Sequence, residues 1–94
     1  MDSKAYSWAW VTADRLLTDK ECELVYAYLV PSAATTNSVL YNGTNTGGDP
    51  IVTLESAVVT GHKFAPPVPV YCPRGLYVDV GTSVTGIFVM WRNL

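Results

Sequence analysis

Residues that could carry out catalysis are few and scattered in this chain. Side-chain catalysis needs a nucleophile with a base, a pair of carboxylates, or a bound metal. The single histidine, His62, follows Gly61 in a predicted turn and has no evident partner in the sequence. We therefore interpret His62 as a solvated loop side chain, and the sequence predicts a protein that is not an enzyme.

Three residues could in principle bind zinc: Cys22, Cys72 and His62. Their spacing contains neither the Cys-x-x-Cys nor the His-x-x-x-His pattern that is typical of zinc sites. The simpler interpretation is that both cysteines are small buried hydrophobic residues. We predict no metal site and no cofactor. Whether the two cysteines form a disulfide stays open, because nothing in the sequence fixes their distance.

Two polar segments have a composition that is compatible with binding a small ion. Asp19, Glu21 and Glu23 would share one face of a strand that begins early, where they could hold a cation weakly. A charged edge that prevents unwanted sheet pairing is the more usual role of such a run. The loop at 47–49 lacks the lysine and the helix of a phosphate-binding loop. Neither segment predicts a site.

The elements that position these residues are predicted to be strands. No segment shows sustained helical periodicity, whereas short β-branched and aromatic runs follow one another between turn signals. These runs lie at 6–10, 16–17, 24–30, 38–42, 51–54, 57–59, 76–80 and 84–91. The last two are predicted to form a long hairpin through a turn at 81–83, and the proline-rich stretch 64–73 an edge or extended arm. The whole chain, 1–94, is predicted to be one all-β domain, an antiparallel β-sandwich of about eight short strands that is jelly-roll-like.

Two predicted strands are apolar on both faces. Residues 24–30 contain no charged or amide side chain, and residues 84–91 nearly repeat that pattern. A strand with one wet face should alternate apolar with polar residues. A small domain has one core, which covers one face of a sheet. We therefore expect a second protein surface to cover the other face.

An aromatic stripe near the start of the chain has several possible roles. Tyr6, Trp8 and Trp10 alternate with small residues, so they share one side of a strand. Such a row can lie in the core, contact a neighbouring subunit, or stack on sugar rings or bases. The residues predicted to form a partner interface are Tyr6, Trp8, Trp10, Tyr26, Tyr28, Phe88, Met90 and Trp91.

Composition narrows the class of partner. Charged residues make up only 15% of the chain, against about 25% in a typical domain. The six lysines and arginines are dispersed, so we expect no nucleic-acid partner. No apolar run approaches the ~18 residues of a membrane helix, so we expect no membrane partner. The residues from Met1 to Lys4 do not have the layout of a secretion signal, and we expect synthesis in cytoplasm, with the cysteines reduced.

Two longer segments carry a resemblance to a known class of proteins. They are Leu40-Tyr41-Asn42-Gly43-Thr44, followed by Ile51-Val52-Thr53-Leu54, and the stretch 74–86, Arg-Gly-Leu-Tyr-Val-Asp-Val-Gly-Thr-Ser-Val-Thr-Gly. Together with Cys22-Glu23-Leu24 they resemble small β-rich virion structural proteins of tailed bacteriophages. The resemblance covers most of residues 16–91. Asn42 stands where an aspartate is more usual, which weakens any expectation of a cation at that turn. Residues 1–15 lie outside the resemblance and are a candidate docking segment.

The resemblance implies a structural role in a virus particle. The expectation is a capsid decoration or cement protein, made in the host cytoplasm and located in the virion. It would form a homo-oligomer, a trimer or a dimer, and pack on the major capsid protein or another virion protein. The alternative is a tail- or fibre-associated module that binds a receptor or a glycan. That alternative needs an exposed Trp8, Trp10 or Tyr41 beside a polar group such as Asn42 or Asn45.

Overall fold

All regular structure in the described residues is β-strand. The computed structural model describes residues 6–33, 36–56 and 61–94. Within these ranges the strands are β1 (Ser7–Val11), β2 (Arg15–Thr18), β3 (Cys22–Pro31), β4 (Thr36–Asn42), β5 (Asp49–Ser56), β6 (His62–Phe64), β7 (Val70–Cys72), β8 (Leu76–Val80) and β9 (Val84–Asn93). The predicted strand at 57–59 lies outside the described residues. The all-β prediction is confirmed.

The strands form two antiparallel sheets with the order of a jelly roll. The first sheet runs β1-β9-β3, and both β6 and β7 pair with the far edge of β3. The second sheet runs β2-β8-β4-β5. Early strands therefore pair with late ones, β1 with β9 and β2 with β8, as in a long ribbon rolled into a sandwich.

Seven of the eight predicted strands correspond to described strands, and the described residues add β6 and β7, two short strands that fill one place in the roll. β6 ends at Phe64 and β7 begins at Val70, with Pro66, Pro67 and Pro69 between them. Proline has no N–H to donate to a ladder, so the pairing with β3 stops and resumes. The predicted edge at 64–73 is confirmed in this form.

The predicted hairpin of the last two strands is wrong. β8 belongs to the second sheet and β9 to the first, so the turn at 81–83 carries the chain between the sheets. Ser83 has a φ of 60°, and its carbonyl accepts a hydrogen bond from the N–H of Ser32, 2.9 Å away. Two alternating strands joined by a short turn have the same sequence pattern in both arrangements.

The core lies between the inner faces of the two sheets. Its fully buried aliphatic residues come from both sheets and alternate with outward side chains along each strand. The largest are Leu24, Leu29, Leu40, Leu54, Leu76 and Ile87. Residues 24–30 and 84–91 thus have one apolar face in the core, and their other apolar face lies on the surface of the first sheet.

Candidate interaction face

The outer surface of the first sheet is aromatic across three adjacent strands. On the central strand β9, Met90 lies between Trp8 of β1 and Tyr26 of β3. One step along, Phe88 lies between Trp10 and Tyr28. We call these six residues the aromatic face: Trp8, Trp10, Tyr26, Tyr28, Phe88 and Met90. Trp8 and Trp10 keep 66% and 45% of their surface exposed, and the other four are half-buried.

Ring contacts hold the aromatic face together. The ring centroids of Trp8 and Phe88 are 6.1 Å apart with planes 29° from parallel, and Tyr26 lies at the same distance from Phe88 with a tilt of 58°. Both geometries are in the range favoured by aromatic pairs. Phe88 on the central strand therefore packs against a ring from each neighbouring strand.

A glycine supports the edge of this layer. Gly86 is the outward residue of β9 next to Phe88, and a Cβ placed there would lie only 2.2 Å from the indole of Trp10. The indole therefore lies directly over the backbone at Gly86, which is buried as a result. Reasoning from the sequence missed Gly86, although its alternation with Phe88 marks it as a member of the same surface.

The aromatic face is bounded at one end by paired charges. The guanidinium of Arg92 donates to the carboxylate of Glu23, from Nε at 3.1 Å and from Nη2 at 2.5 Å. Glu23 also faces Tyr71, whose hydroxyl donates to the carboxylate of Glu21. This hydrogen bond raises the pKa of the exposed Tyr71 phenol. Glu21 and Glu23 are thus engaged with partners, which accounts for most of the acidic run without a cation.

The structure brings together six of the eight residues predicted as an interface. Trp91 is the exception in orientation: it points inward with 7% of its surface exposed, so it belongs to the core. The alternation that sends Met90 and Arg92 outward sends Trp91 inward. Tyr6 is half-buried and precedes β1. Residues 7–11 of the predicted docking segment are a strand of the sandwich itself, with Ala9 and Val11 in the core.

The outer surface of the second sheet is different in character. Tyr41 and Tyr77 lie there side by side, but the next positions along the strands hold Asp79, Val39 and Thr53. The pKa of Asp79 is raised, first by burial and then by the charge of Asp14. Of the two outer surfaces, as formed by residues 6–33, 36–56 and 61–94, the first sheet alone presents a continuous aromatic surface.

Of the three aromatic residues named for the glycan-binding alternative, the two tryptophans lie on one sheet, whereas the half-buried Tyr41 lies beside Asn42 on the other. Trp8 and Trp10 lie on the first sheet. Tyr41 and Asn42 end β4 of the second sheet, and Asn45 lies in the loop that follows. The Asn42 side-chain oxygen accepts a hydrogen bond from the N–H of Arg74, 3.0 Å away. The exposed tryptophans therefore do not have these asparagines beside them.

The predicted turn position of His62 is wrong: the residue lies in a strand and contacts the backbone of another strand. It is the first residue of β6, and its Nδ1 lies 3.1 Å from the backbone nitrogen and 2.8 Å from the backbone oxygen of Glu55 in β5. Its Nδ1 therefore contacts the backbone of Glu55, where the first sheet approaches the second. Within the described residues, no three potential ligands among His, Cys, Asp and Glu lie close enough to hold a metal.

The two cysteines lie directly opposite each other in the pairing of β3 with β7. Both thiols are free and fully buried, and Cys72 Sγ donates to the carbonyl of Val70 at 3.4 Å. The hydrogen bond with Cys72, together with burial, raises the pKa of the Cys22 thiol. His62 pairs with Leu29, seven residues further along β3, which at the rise of a strand is about 23 Å away. The three predicted candidates for zinc are therefore not brought together.

No protein-family model matches the chain, and the curated proteins contain no significant match to it. The part of the chain that the structure describes contains no helix long and apolar enough to cross a membrane. The same residues form no pocket that could enclose a small molecule.

Proposed function

We propose that this chain is a structural protein that acts by docking its aromatic face on another protein surface, most concretely as a decoration or cement protein of a bacteriophage head. The observation that carries the proposal is the aromatic layer on three adjacent strands of the first sheet. The resemblance of residues 16–91 to small virion proteins of tailed bacteriophages supplies the specific setting.

The residue types on the face favour a protein partner. Tyrosine, tryptophan, phenylalanine and methionine are enriched where proteins meet, and charged residues are depleted from interface centres. The aromatic face has this composition, with the Glu23–Arg92 pair at its border. A charged border around an apolar centre is the usual arrangement of a specific interface.

The size of the face suits a small interface that is repeated many times. A stable interface buries about 800 Å² on each partner, and a fully buried aromatic side chain contributes about 150–250 Å². Trp8 and Trp10 retain 66% and 45% exposure, so they have the most left to bury. Six residues supply the centre of such an interface, and the repetition of sites on a shell adds avidity to each modest contact.

The test is association with the particles of the virus that encodes the chain. Purified particles lacking the protein are mixed with the wild type, with Met90→Lys, or with Thr53→Lys, and bound protein is measured after sedimentation. Met90→Lys puts a charge at the centre of the aromatic face, where a dry interface would leave it unpaired. Thr53→Lys adds the same charge to an exposed position of the second sheet.

The proposal predicts saturable binding of the wild type and of Thr53→Lys, and a loss of at least about tenfold for Met90→Lys. Circular dichroism establishes that all three proteins are folded. Absence of binding by the wild type contradicts a role in decoration. Equal binding by both lysine variants contradicts the use of the aromatic face. Release of wild-type protein by free sugars would favour the glycan-binding alternative instead.

A further inference from the structure

Exposed sheet edges are sites where strands of another chain can add, and natural proteins usually block them. Three of the four edges in this sandwich carry such a block. Lys63 and a group of prolines lie on the β6–β7 edge. β2 is only four residues long, begins with a charged residue and contains a register shift. β5 begins with Asp49-Pro50, and the His62 ring lies against its backbone at Glu55.

The fourth edge, β1, has none of these features. Its sequence is Ser7-Trp8-Ala9-Trp10-Val11, without a charge or a proline, and it pairs with β9 in unbroken register. Among the described residues β9 is the only strand that pairs with β1. Alternate backbone N–H and C=O groups of β1 therefore point away from the sheet, toward a position that a further strand would fill.

We propose that β1 pairs in antiparallel fashion with β1 of a second copy of this chain, about a twofold axis that passes between the two copies of Ala9. This pairing rests on the proposed function, because it gives a second copy as one partner of a protein whose proposed role is assembly. A second copy is the occupant favoured here because the strand is uncharged and its pattern is symmetric about Ala9.

The register follows from the faces of the strand. A twofold axis perpendicular to a continuous sheet keeps inward residues opposite inward residues, so one residue must lie opposite its own copy with the axis between the two. Centred on Ala9, all five residues of β1 pair, whereas centring on Trp8 or Trp10 pairs only three. The Ala9 register forms about four to six backbone hydrogen bonds, depending on which alternate groups face outward.

This register places the two tryptophans against each other. Trp8 of each copy lies opposite Trp10 of the other, so the outer surface of the joined sheet contains two such pairs. The two aromatic faces then become continuous across the axis. On the inner side, the largely buried Ala9 and Val11 of both copies extend one core toward the other. The dimer therefore presents a wider docking surface than one chain alone.

Paired charge variants test the register through the oligomeric state. Trp8→Lys/Trp10→Lys places lysine opposite lysine at both positions, and Trp8→Lys/Trp10→Glu places lysine opposite glutamate at both. Both variants remove the same two tryptophans. In sedimentation equilibrium at micromolar concentration we expect the wild type to dimerise and the lysine–glutamate variant to dimerise about tenfold or more tightly than the lysine–lysine variant. Equal dissociation constants for the two variants would overturn the register.

A cross-link gives a second test that does not depend on affinity. Ala9→Cys brings two thiols to the twofold axis, so oxidised glutathione should convert them to an intermolecular disulfide, itself being reduced to two thiols. Ser7→Cys is the control, since Ser7 lies opposite Val11 in this register, about 13 Å from its own counterpart. The wild type controls for Cys22 and Cys72, which are buried. Cross-linking of Ser7→Cys but not Ala9→Cys would contradict the proposal.

The two proposals fail separately. A wild-type protein that is monomeric and is not cross-linked through Ala9→Cys, yet binds particles, leaves the aromatic face as a docking surface and excludes pairing through β1. A dimer with the expected cross-link that binds no particle retains the pairing and removes the role in decoration.

Discussion

A single glycine sets how the tryptophan at the edge of the aromatic face lies. The three atoms nearest to an alanine Cβ at Gly86 would all belong to the indole of Trp10, which is 45% exposed and can swing outward. We expect Gly86→Ala to change the free energy of unfolding by less than about 1 kcal/mol. Acrylamide quenching of Trp10 should increase, measured in a Trp8→Phe background where the remaining tryptophan, Trp91, is buried.

The matched control for this effect is Gly81→Ala. Its Cβ would lie 1.9 Å from the backbone oxygen of Asn37, which cannot swing away as a side chain can. We expect a loss of about 1–3 kcal/mol in the free energy of unfolding, with little change in the quenching of Trp10. If instead Gly86→Ala is the more damaging substitution, the indole is not free to move.

On the second sheet, the carboxylate of Asp14 disfavours ionisation of the neighbouring Asp79. The pKa of Asp79 is raised above its usual 3.8 by burial and by Asp14. Below about pH 3.8 the carboxyl is protonated in both the folded and the unfolded chain, so it does not lower the free energy of unfolding. As the pH rises through the raised pKa, the folded chain releases its proton less readily than the unfolded chain, and stability falls. Asp14→Asn removes the charge and keeps the oxygen that accepts from the N–H of Val80 at 2.8 Å.

We therefore expect Asp14→Asn to raise the free energy of unfolding at pH 7 by less than about 1 kcal/mol. The gain should disappear below about pH 3.8, where Asp79 is protonated in both states. Urea denaturation of both proteins at pH 3 and pH 7 measures the difference. A gain that is the same at both pH values would show that relief of Asp79 is not its cause.

At the scale of elements, alternation and turn residues predicted most strands but not how they pair. The segments around Trp8, Leu24 and Phe88 were assigned from local pattern, which depends on side chains of one strand. Whether two successive strands share a sheet depends on contacts made far along the chain, so the 76–80/84–91 hairpin was predicted wrongly. Trp91 was misassigned for a related reason. The pattern of residues 84–91 shows that both faces of the strand are apolar, but it does not show which face lies in the core.

The difference between inward and outward strand positions can be measured with two leucines. Leu24 of β3 is fully buried, and Leu16 of β2 is 41% exposed on the other sheet. Leu24→Ala should lower the free energy of unfolding by about 2–5 kcal/mol, since it leaves a cavity between the sheets. Leu16→Ala should cost less than about 1 kcal/mol. Similar losses for both variants would contradict the placement of the core.

For the molecule as a whole, the outer surface of one sheet is aromatic and that of the other is mixed, so burial of apolar surface should drive its associations more than charge does. The first sheet presents aromatic rings bordered by an already neutralised Glu23–Arg92 pair, and the chain carries a net charge of −2. Raising salt from 0.1 M to 1 M shortens the screening length from about 10 Å to about 3 Å, which weakens contacts between exposed charges. It does not weaken the burial of apolar surface.

Self-association and particle binding by the wild type should therefore persist in 1 M NaCl, with dissociation constants within about threefold of those at 0.1 M. Sedimentation at the two salt concentrations provides the measurement. Loss of association at high salt would mean that charges such as Lys63 or Arg92 carry the contact, and the aromatic face would then be a consequence of packing within the chain. Because the lysine–lysine variant of β1 places like charges opposite each other, its dimerisation alone should improve with salt.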